Sequence, residues 1–384
     1  MKKLIFRKFA KDLAQFFLLL SVSITLIVWV IQAVNFLDIV TEDGHGLKIY
    51  FLYTLLSLPK IFSKVLPFIY FVSVFYIILK YENNNELIIF WTIGINKLNF
   101  VNILIKFSLF YLVLQLLFTT YIVPKTLDDA RSFIRSSNVD LYGSIIQEKK
   151  FIDTVKNLTI FVEEKSTIGE LKNIFLKEKI AENEYQIIFS KRGRIKNKNN
   201  QSILVLYDGK ILNNNDSTTK DLKFSETELN LSKFSTKTTT TPKIQETSTY
   251  EILECIVSLK NFSNLKIWNS LKKKKKISNC SIEKIKDSFQ EMFKRIILPF
   301  YLPVLSLIAS LIIVRSKDDY KFLRHKFILF LFGVTVIIIS ELSLKYSSDE
   351  IRQNIALISI PIILFSLIYI YLISKFKIST KLGI

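Results

Sequence analysis

The stretch Leu13-Ala-Gln-Phe-Phe-Leu-Leu-Leu-Ser-Val-Ser-Ile-Thr-Leu-Ile-Val-Trp-Val-Ile-Gln-Ala-Val34 contains no charged side chain. As a helix rising 1.5 Å per residue it reaches about 30 Å, the thickness of a bilayer's hydrocarbon core. Lys2, Lys3, Arg7 and Lys8 precede it, as they would in a signal peptide. The run is too long for a cleavable apolar region, however, and no small-residue cleavage site follows, so it is expected to stay as a membrane anchor. Working outward, apolar segments of similar character recur at 49–79, 98–123, 296–314, 327–344 and 355–374. With the first, at 13–36, they make six spans, three on each side of a polar block at 124–294.

The whole chain agrees with this reading. Its 384 residues are 50% hydrophobic and include 32 Phe. The net charge of +20 comes from 53 basic and 33 acidic residues, and no nucleic-acid-binding module accompanies it. Basic residues collect instead where membrane proteins place them. The N-terminal segment, the connection Arg315, Lys317, Lys321, Arg324, Lys326, and the tail Lys375, Lys377, Lys381 fall on one side of a six-span chain. The positive-inside rule makes that side cytoplasmic. The first connection, with Asp38, Glu42 and Asp43, and the balanced fifth, with Lys345, Asp349, Glu350 and Arg352, then lie outside, together with the polar block.

Within the block, short runs rich in β-formers at 151–155, 159–163, 172–176, 185–189, 202–207 and 226–231 alternate with turn material. Asp208-Gly209 and the Asn/Lys tract at 196–201 are among these turns. This pattern predicts an antiparallel sandwich or open roll. Ile282, Ile285, Phe289, Met292 and Ile296 recur at helical steps and predict an amphipathic helix leading into the fourth span. Cys255 and Cys280 also lie in the block. A disulfide is open to them if the block faces an oxidising compartment, but without CxxC spacing they are read as unpaired structural residues. With two His in all, neither a zinc site nor a Ser/His/Asp set can be built. No P-loop, GxSxG or HExxH motif occurs, so neither catalysis nor a cofactor is expected of this chain.

Two short constellations carry functional meaning. In the connection between spans two and three, Leu87, Phe90 and Trp91 stand at i, i+3 and i+4, flanked by Asn83–Asn85 as an expected N-cap and Gly94 as a stop. A helix at about 83–95 with an apolar aromatic face suits either docking into a partner's groove or lying among lipid headgroups. In the second span, Lys60 and Lys64 share a helical face near its outer end. Such lysines either line a functional cavity or snorkel to headgroups. Glu341 and Lys345, four apart in the fifth span, form a candidate structural pair, with Lys60 or Lys64 as alternative partners of the glutamate.

The order of these features resembles the LptF/LptG family of lipopolysaccharide-export ABC permeases. The resemblance rests on Asn85-Glu86-Leu87 followed by Gly94, on Leu58-Pro59-Lys60 and Leu66-Pro67-Phe68, on Lys294-Arg295-Ile-Ile-Leu-Pro299, and on the three-plus-three arrangement around a strand-rich domain. Val34-Asn35-Phe36-Leu37-Asp38 is more similar to LptF than to LptG. The resemblance implies an integral membrane α-helical protein with an inserted all-β, β-jellyroll-like periplasmic domain: helices at 1–123, the domain at 124–294, and helices at 295–384. It implies a permease that extracts lipopolysaccharide from the outer leaflet of the inner membrane and passes it to a periplasmic bridge. The expected partners are a cytoplasmic LptB-like ATPase dimer, a second permease, and LptC-like and LptA-like jellyroll proteins. Glu86, Leu87, Phe90, Trp91 and Gly94 are then the residues coupling to the ATPase. Lys60, Lys64, Lys48 and Arg295 are the expected contacts to the anionic glycolipid, since an ammonium is a good point-charge phosphate binder. The competing class is a membrane-anchored receptor or sensor with an extracytoplasmic β domain and no transport; it would need neither an aromatic cytoplasmic helix nor a charged outer helix face.

Overall fold

The computed structural model describes residues 2–37, 47–136, 146, 148–152, 158–166, 170–179, 184–198, 201–215, 218–230, 243–260, 280, 284–347 and 351–381. The acidic first connection at 38–46 and the lysine run at 272–276 lie outside these residues. In chain order the helices before the sheet are α1 (Lys2–Asn35), α2 (Leu47–Leu56), α3 (Leu58–Asn83), α4 (Glu86–Thr92), α5 (Lys97–Leu117) and α6 (Val123–Ser136), with a π-helical turn at Phe118–Ile122 joining α5 to α6. After it come α7 (Thr249–Lys260), α8 (Ile285–Ile296), α9 (Tyr301–Ser310), α10 (Phe322–Tyr346) and α11 (Ile351–Lys381). Among the described residues, six helical stretches are long and apolar enough to cross a membrane: Lys3–Asn35, Leu47–Asn83, Lys97–Ile134, Ile285–Val314, Phe322–Tyr346 and Gln353–Phe376. The chain is a multi-pass membrane protein.

It divides into two compact units. One comprises Met1–Val30, Ser57–Asp128 and Lys243–Ile384; the other comprises Ile31–Leu56 and Asp129–Pro242. The helical unit is organised on α9, every residue of which from Tyr301 to Ser310 is buried. It packs against α3, α5, α10 and α11. Pro299 and Pro303 lack the amide hydrogen that would continue the helical ladder. The fourth span accordingly passes through a 3₁₀ turn at Leu298–Phe300 before α9 begins. Small residues permit close helix packing here as they do in lipid: a Cβ added to Gly333 of α10 would overlap the ring of Phe71 on α3. That ring is fully buried and stacks on Phe330 at 5.9 Å.

In the other unit, six antiparallel strands pair in sequence order: β1 (Phe151–Ile152), β2 (Leu158–Lys165), β3 (Glu170–Lys179), β4 (Tyr185–Lys198), β5 (Gln201–Asn215) and β6 (Thr218–Asn230). The strand-rich reading holds, and within the strands apolar residues alternate, with Leu158, Ile160, Val162, Ile174, Leu176, Ile188, Leu204 and Leu206 on the core face. The strands are longer than the local pattern suggests. Asp208-Gly209, expected to turn the chain, lies inside β5, where pairing continues on both sides through Arg192↔Tyr207 and Ser190↔Gly209. Asp208 takes φ 52°, a left-handed conformation that Asp tolerates, and Phe224 of β6 covers Gly209. Cross-strand pairing outweighs turn propensity here. Outside the spans, the exposed Lys172 ammonium, 2.9 Å from Glu164, holds that carboxyl below its ordinary range.

The amphipathic return is present as α8, with Met292 buried and Phe289 and Ile296 packed on Ile252 and Ile256 of α7. That contact corrects the reading of the cysteines: Cys255 and Cys280 form a disulfide. Their separation of 25 residues carries no proximity signal; the packing of α7 on α8 supplies it. We expect Gly333→Val to destabilise the purified protein by about 1–3 kcal/mol, as overpacking of a filled core does. Thermal unfolding in detergent measures this, and Phe71→Ala in the same chain should recover part of the loss.

Candidate functional site

The first candidate site is built on α4. Helix α3 closes when the Asn84 amide donates to Lys80 at 3.0 Å. Asn85 then takes φ 61° at the N-cap position and offers no side-chain cap. The Asn run therefore reverses the chain rather than capping it, because Asn adopts the left-handed region at low cost. Glu86, in the first turn of α4, accepts from the Lys8 ammonium at 3.1 Å and from the Asn84 side-chain Nδ2 at 3.4 Å, a favourable place for an acid beside the helix N-terminus. At the other end Gly94 has φ 76°. Its amide donates to Trp91 and that of Ile95 to Phe90, at 3.0 and 3.1 Å, the pair of bonds that closes a helix through a left-handed glycine.

Between these ends, the apolar stripe faces inward. Leu87 and Phe90 are buried in the protein's own core. The Phe90 ring lies 5.4 Å from both Phe6 and Phe100, and Trp91 meets Phe100 edge-on at 5.9 Å. Periodicity identified an apolar face but could not say what covers it. The apolar side chains that α4 presents outward are Ile88 and Ile89, 52% and 50% exposed, which sequence reasoning missed. The connection after the fourth span is tied to the same corner. The Lys317 amide donates to Glu82 at 3.0 Å and its ammonium to the Asn83 carbonyl at 3.4 Å. Tyr81 donates to Asp12 at 2.7 Å.

The second candidate site lies where α3, α8 and the segment before α7 meet. Arg295, expected to touch a ligand, is 1% exposed and fully engaged within the protein. Its Nε donates to Glu291 at 3.0 Å. Nη1 reaches the Thr247 carbonyl and Thr249 hydroxyl at 3.0 and 2.9 Å, and Nη2 the carbonyls of Ile244 and Gln245 at 3.5 and 3.2 Å. All five donors of the guanidinium are thus used, and the residue is a clamp. Lys60, half-buried, lies in the electrostatic range of Lys294, Lys243, Glu291 and Lys64. Glu291 is committed to Arg295 and stands 3.9 Å from Lys294, and Glu246 accepts from the Lys243 amide at 2.9 Å, so the four lysines outnumber the two carboxylates near them. Lys243 and Lys294 were not read from the sequence as ligand contacts; the Arg295 clamp, together with Ile244 packed on the α7–α8 core, brings position 243 to position 294.

Lys48 is exposed on α2 in the other compact unit. Glu341 and Lys345 both stand exposed on α10, and no ion pair within 4.0 Å joins them among the described residues. Spacing alone does not form such a pair, since an exposed pair must overcome the entropy of ordering two long side chains.

Residues 7–375 match the family described as lipopolysaccharide export system permease LptF/LptG. The chain is also similar to an uncharacterized protein of Rickettsia prowazekii (strain Madrid E). The two are 26% identical over 217 residues, which cover 54% of this chain and 57% of that protein; the chain thus spans somewhat more than half of that relative's length.

Because space around the Gly94 Cα is open, its requirement is conformational alone. Gly94→Val should therefore cost about 1–2 kcal/mol locally and expose Trp91 to quenchers, while Gly94→Asn should behave as the native protein. Trp fluorescence quenching reads the difference.

Proposed function

The chain belongs to the LptF/LptG family of lipopolysaccharide export permeases, and from that premise we propose that it is the transmembrane permease subunit of an ATP-driven lipopolysaccharide exporter. It sits in the bacterial inner membrane with both termini in the cytoplasm, as the basic N-terminal, fourth-to-fifth and C-terminal segments favour. The disulfide between Cys255 and Cys280 supports the matching placement of the middle of the chain outside, because disulfides persist in oxidising compartments and are rare in the cytosol.

The observation that carries the reading is the lysine cluster. Lys60 lies in the electrostatic range of Lys64, Lys243 and Lys294, and the carboxylates nearby, Glu291 and Glu246, are already bonded to Arg295 and to the Lys243 amide. An unbalanced group of ammonium ions beside an apolar helix face matches an amphiphile that carries phosphates on an acylated body. Lipopolysaccharide drawn from the outer leaflet would meet these lysines with its anionic head while its chains stay against the spans. The strand-rich unit would then hand it to a bridge of similar β proteins, LptC-like and LptA-like, and a second permease of the family would complete the cavity.

ATP hydrolysis is assigned to a separate LptB-like subunit docked on α4. Ile88 and Ile89 are its anchors, and Glu86 and Gly94 hold the helix in position. Leu87, Phe90 and Trp91 serve from beneath, tying α4 to α1 and α5 so that a push on the helix is carried into the spans. A stiff, aromatic-packed lever transmits displacement better than a loop would.

Lys60→Ala combined with Lys64→Ala should lower lipopolysaccharide crosslinking to the chain by about tenfold or more, as expected for loss of two charge-assisted contacts. Unchanged crosslinking and export would overturn the substrate assignment and favour a sensor without transport. Ile88→Asp and Ile89→Asp should abolish copurification of a P-loop ATPase, and Glu86→Ala should weaken it. Retention of the ATPase by all three variants would remove the coupling role.

A further inference from the structure

Helix α7 is held at its first turn by hydrogen bonds, along its inner face by packing, and at its middle by a covalent bond. At the first turn the Arg295 guanidinium donates to the Thr247 carbonyl and the Thr249 hydroxyl. Along the inner face Ile252 and Ile256 bury against Met292 of α8, a small core for a helix that must stay docked. Cys255 stands at i+3 from Ile252, on the same face, and is joined to Cys280. It lies six residues beyond Thr249, about 9 Å along the helix. The disulfide therefore holds the part of α7 that the arginine does not reach. Its partner is 25 residues away in the chain, and without the bond three buried side chains would hold α7 against the freedom of that connection. The two sulfurs also differ in access. Cys255 is 4% exposed, whereas Cys280 is partly open to solvent. Exchange between thiols and disulfides runs through a mixed disulfide, and a sulfur must be reachable to form one.

We propose that Cys280 and Cys255 form a thiol–disulfide exchange site for a disulfide donor, in which Cys280 makes the mixed disulfide and Cys255 resolves it, and that closing the bond latches α7 onto α8. In the reduced chain the Cys280 thiolate attacks one sulfur of the donor, and the donor's other sulfur leaves as a thiolate. The Cys255 thiol then gives up its proton and attacks the Cys280 sulfur, expelling the rest of the donor. The chain loses two electrons, the donor gains them, and the two cysteine protons end on the donor's two thiols. A metal-binding role for the pair lacks support, because no group of three His, Cys, Asp or Glu side chains could hold an ion among the described residues. The reaction that must act on this chain is thus a dithiol oxidation, and it completes the attachment of the return segment to the fourth span. The site does not rest on the export reading; it needs an oxidising compartment on that side of the membrane.

The test uses the full-length protein in lipid nanodiscs, reduced, freed of reductant and kept under argon so that oxygen cannot serve as oxidant. Glutathione disulfide and oxidised protein disulfide isomerase are the donors, one a small molecule and one a CxxC protein. Peptide mapping should find the native chain closed by at least one of them, and the faster donor identifies the kind of source. Cys255→Ser should accumulate glutathione on Cys280, about tenfold more than Cys280→Ser accumulates on Cys255, since the buried sulfur is the less reachable. Amide hydrogen exchange over α7 should be about tenfold faster in the reduced chain than in the closed one, and unchanged over α9, as expected for local release without unfolding. Exchange over α9 also reports whether the serine variants are folded. If they are not, the native chain suffices: quenched with N-ethylmaleimide early in the reaction, it should carry glutathione on Cys280 and not on Cys255. Closure by neither donor, equal glutathione on both cysteines, or α7 exchange indifferent to the bond would each refute the proposal. None of these outcomes bears on Lys60 and Lys64, so the latch and the export reading stand or fall separately.

Discussion

The helical unit depends on one buried cation. Arg295 gathers five hydrogen bonds and is withdrawn from solvent. A guanidinium so placed is tolerable only if its donors are satisfied and its charge is met, because an unpaired buried charge costs several kcal/mol. Glu291 meets the charge from one turn earlier on α8, and the backbone of 244–249 meets the remaining donors. The clamp extends further, since the Arg295 carbonyl accepts from Thr119 at 2.8 Å and Thr249 donates to the Thr120 carbonyl. Both threonines sit in the π-helical turn of the third span, where widening of the helix alters which carbonyls remain inside its ladder. One residue thus fastens the third span through its carbonyl and the fourth span and return segment through its side chain, and it fixes where Lys243 and Lys294 stand.

The same logic appears at the opposite end in apolar form. Phe6, Phe9, Tyr81, Phe90 and Phe100 make a connected set of edge-on ring contacts. Aromatic pairs prefer this geometry and add to the area they bury. They fix α4 to α1 and α5 through side chains of which all but the partly buried Phe6 are withdrawn from solvent, which leaves the outward residues to make any external contact. The helix thus combines rigid attachment within and a small apolar surface without.

In the sheet, the two faces obey different rules. The core face follows simple alternation, and its aliphatic residues are buried as that pattern requires. The other face carries an aromatic row, which emerges only once the register is known. Phe151, Phe161, Phe175 and Phe189, each taken in its own strand, are ordinary β-formers on the face away from the core; their alignment is a property of pairing between residues up to fourteen apart, such as Phe161↔Phe175.

Sequence alone determined the six spans, because bilayer thickness fixes the length of an uncharged helical run and lipid admits no alternative backbone. It determined the strand-rich middle and the amphipathic α8 as well, since periods of 2 and 3.6 are local properties of a chain. The glycine stop at Gly94 was legible for the same reason. Tertiary structure decided what lies across from what. It turned Leu87 and Phe90 inward and left Ile88 and Ile89 outside. It made Arg295 a clamp in place of a ligand contact, added Lys243 and Lys294 to Lys60 and Lys64, joined Cys255 to Cys280, and carried Asp208-Gly209 through the middle of β5. Each of these depends on contacts between residues distant in the chain, and periodicity holds no information about the partner that covers a face.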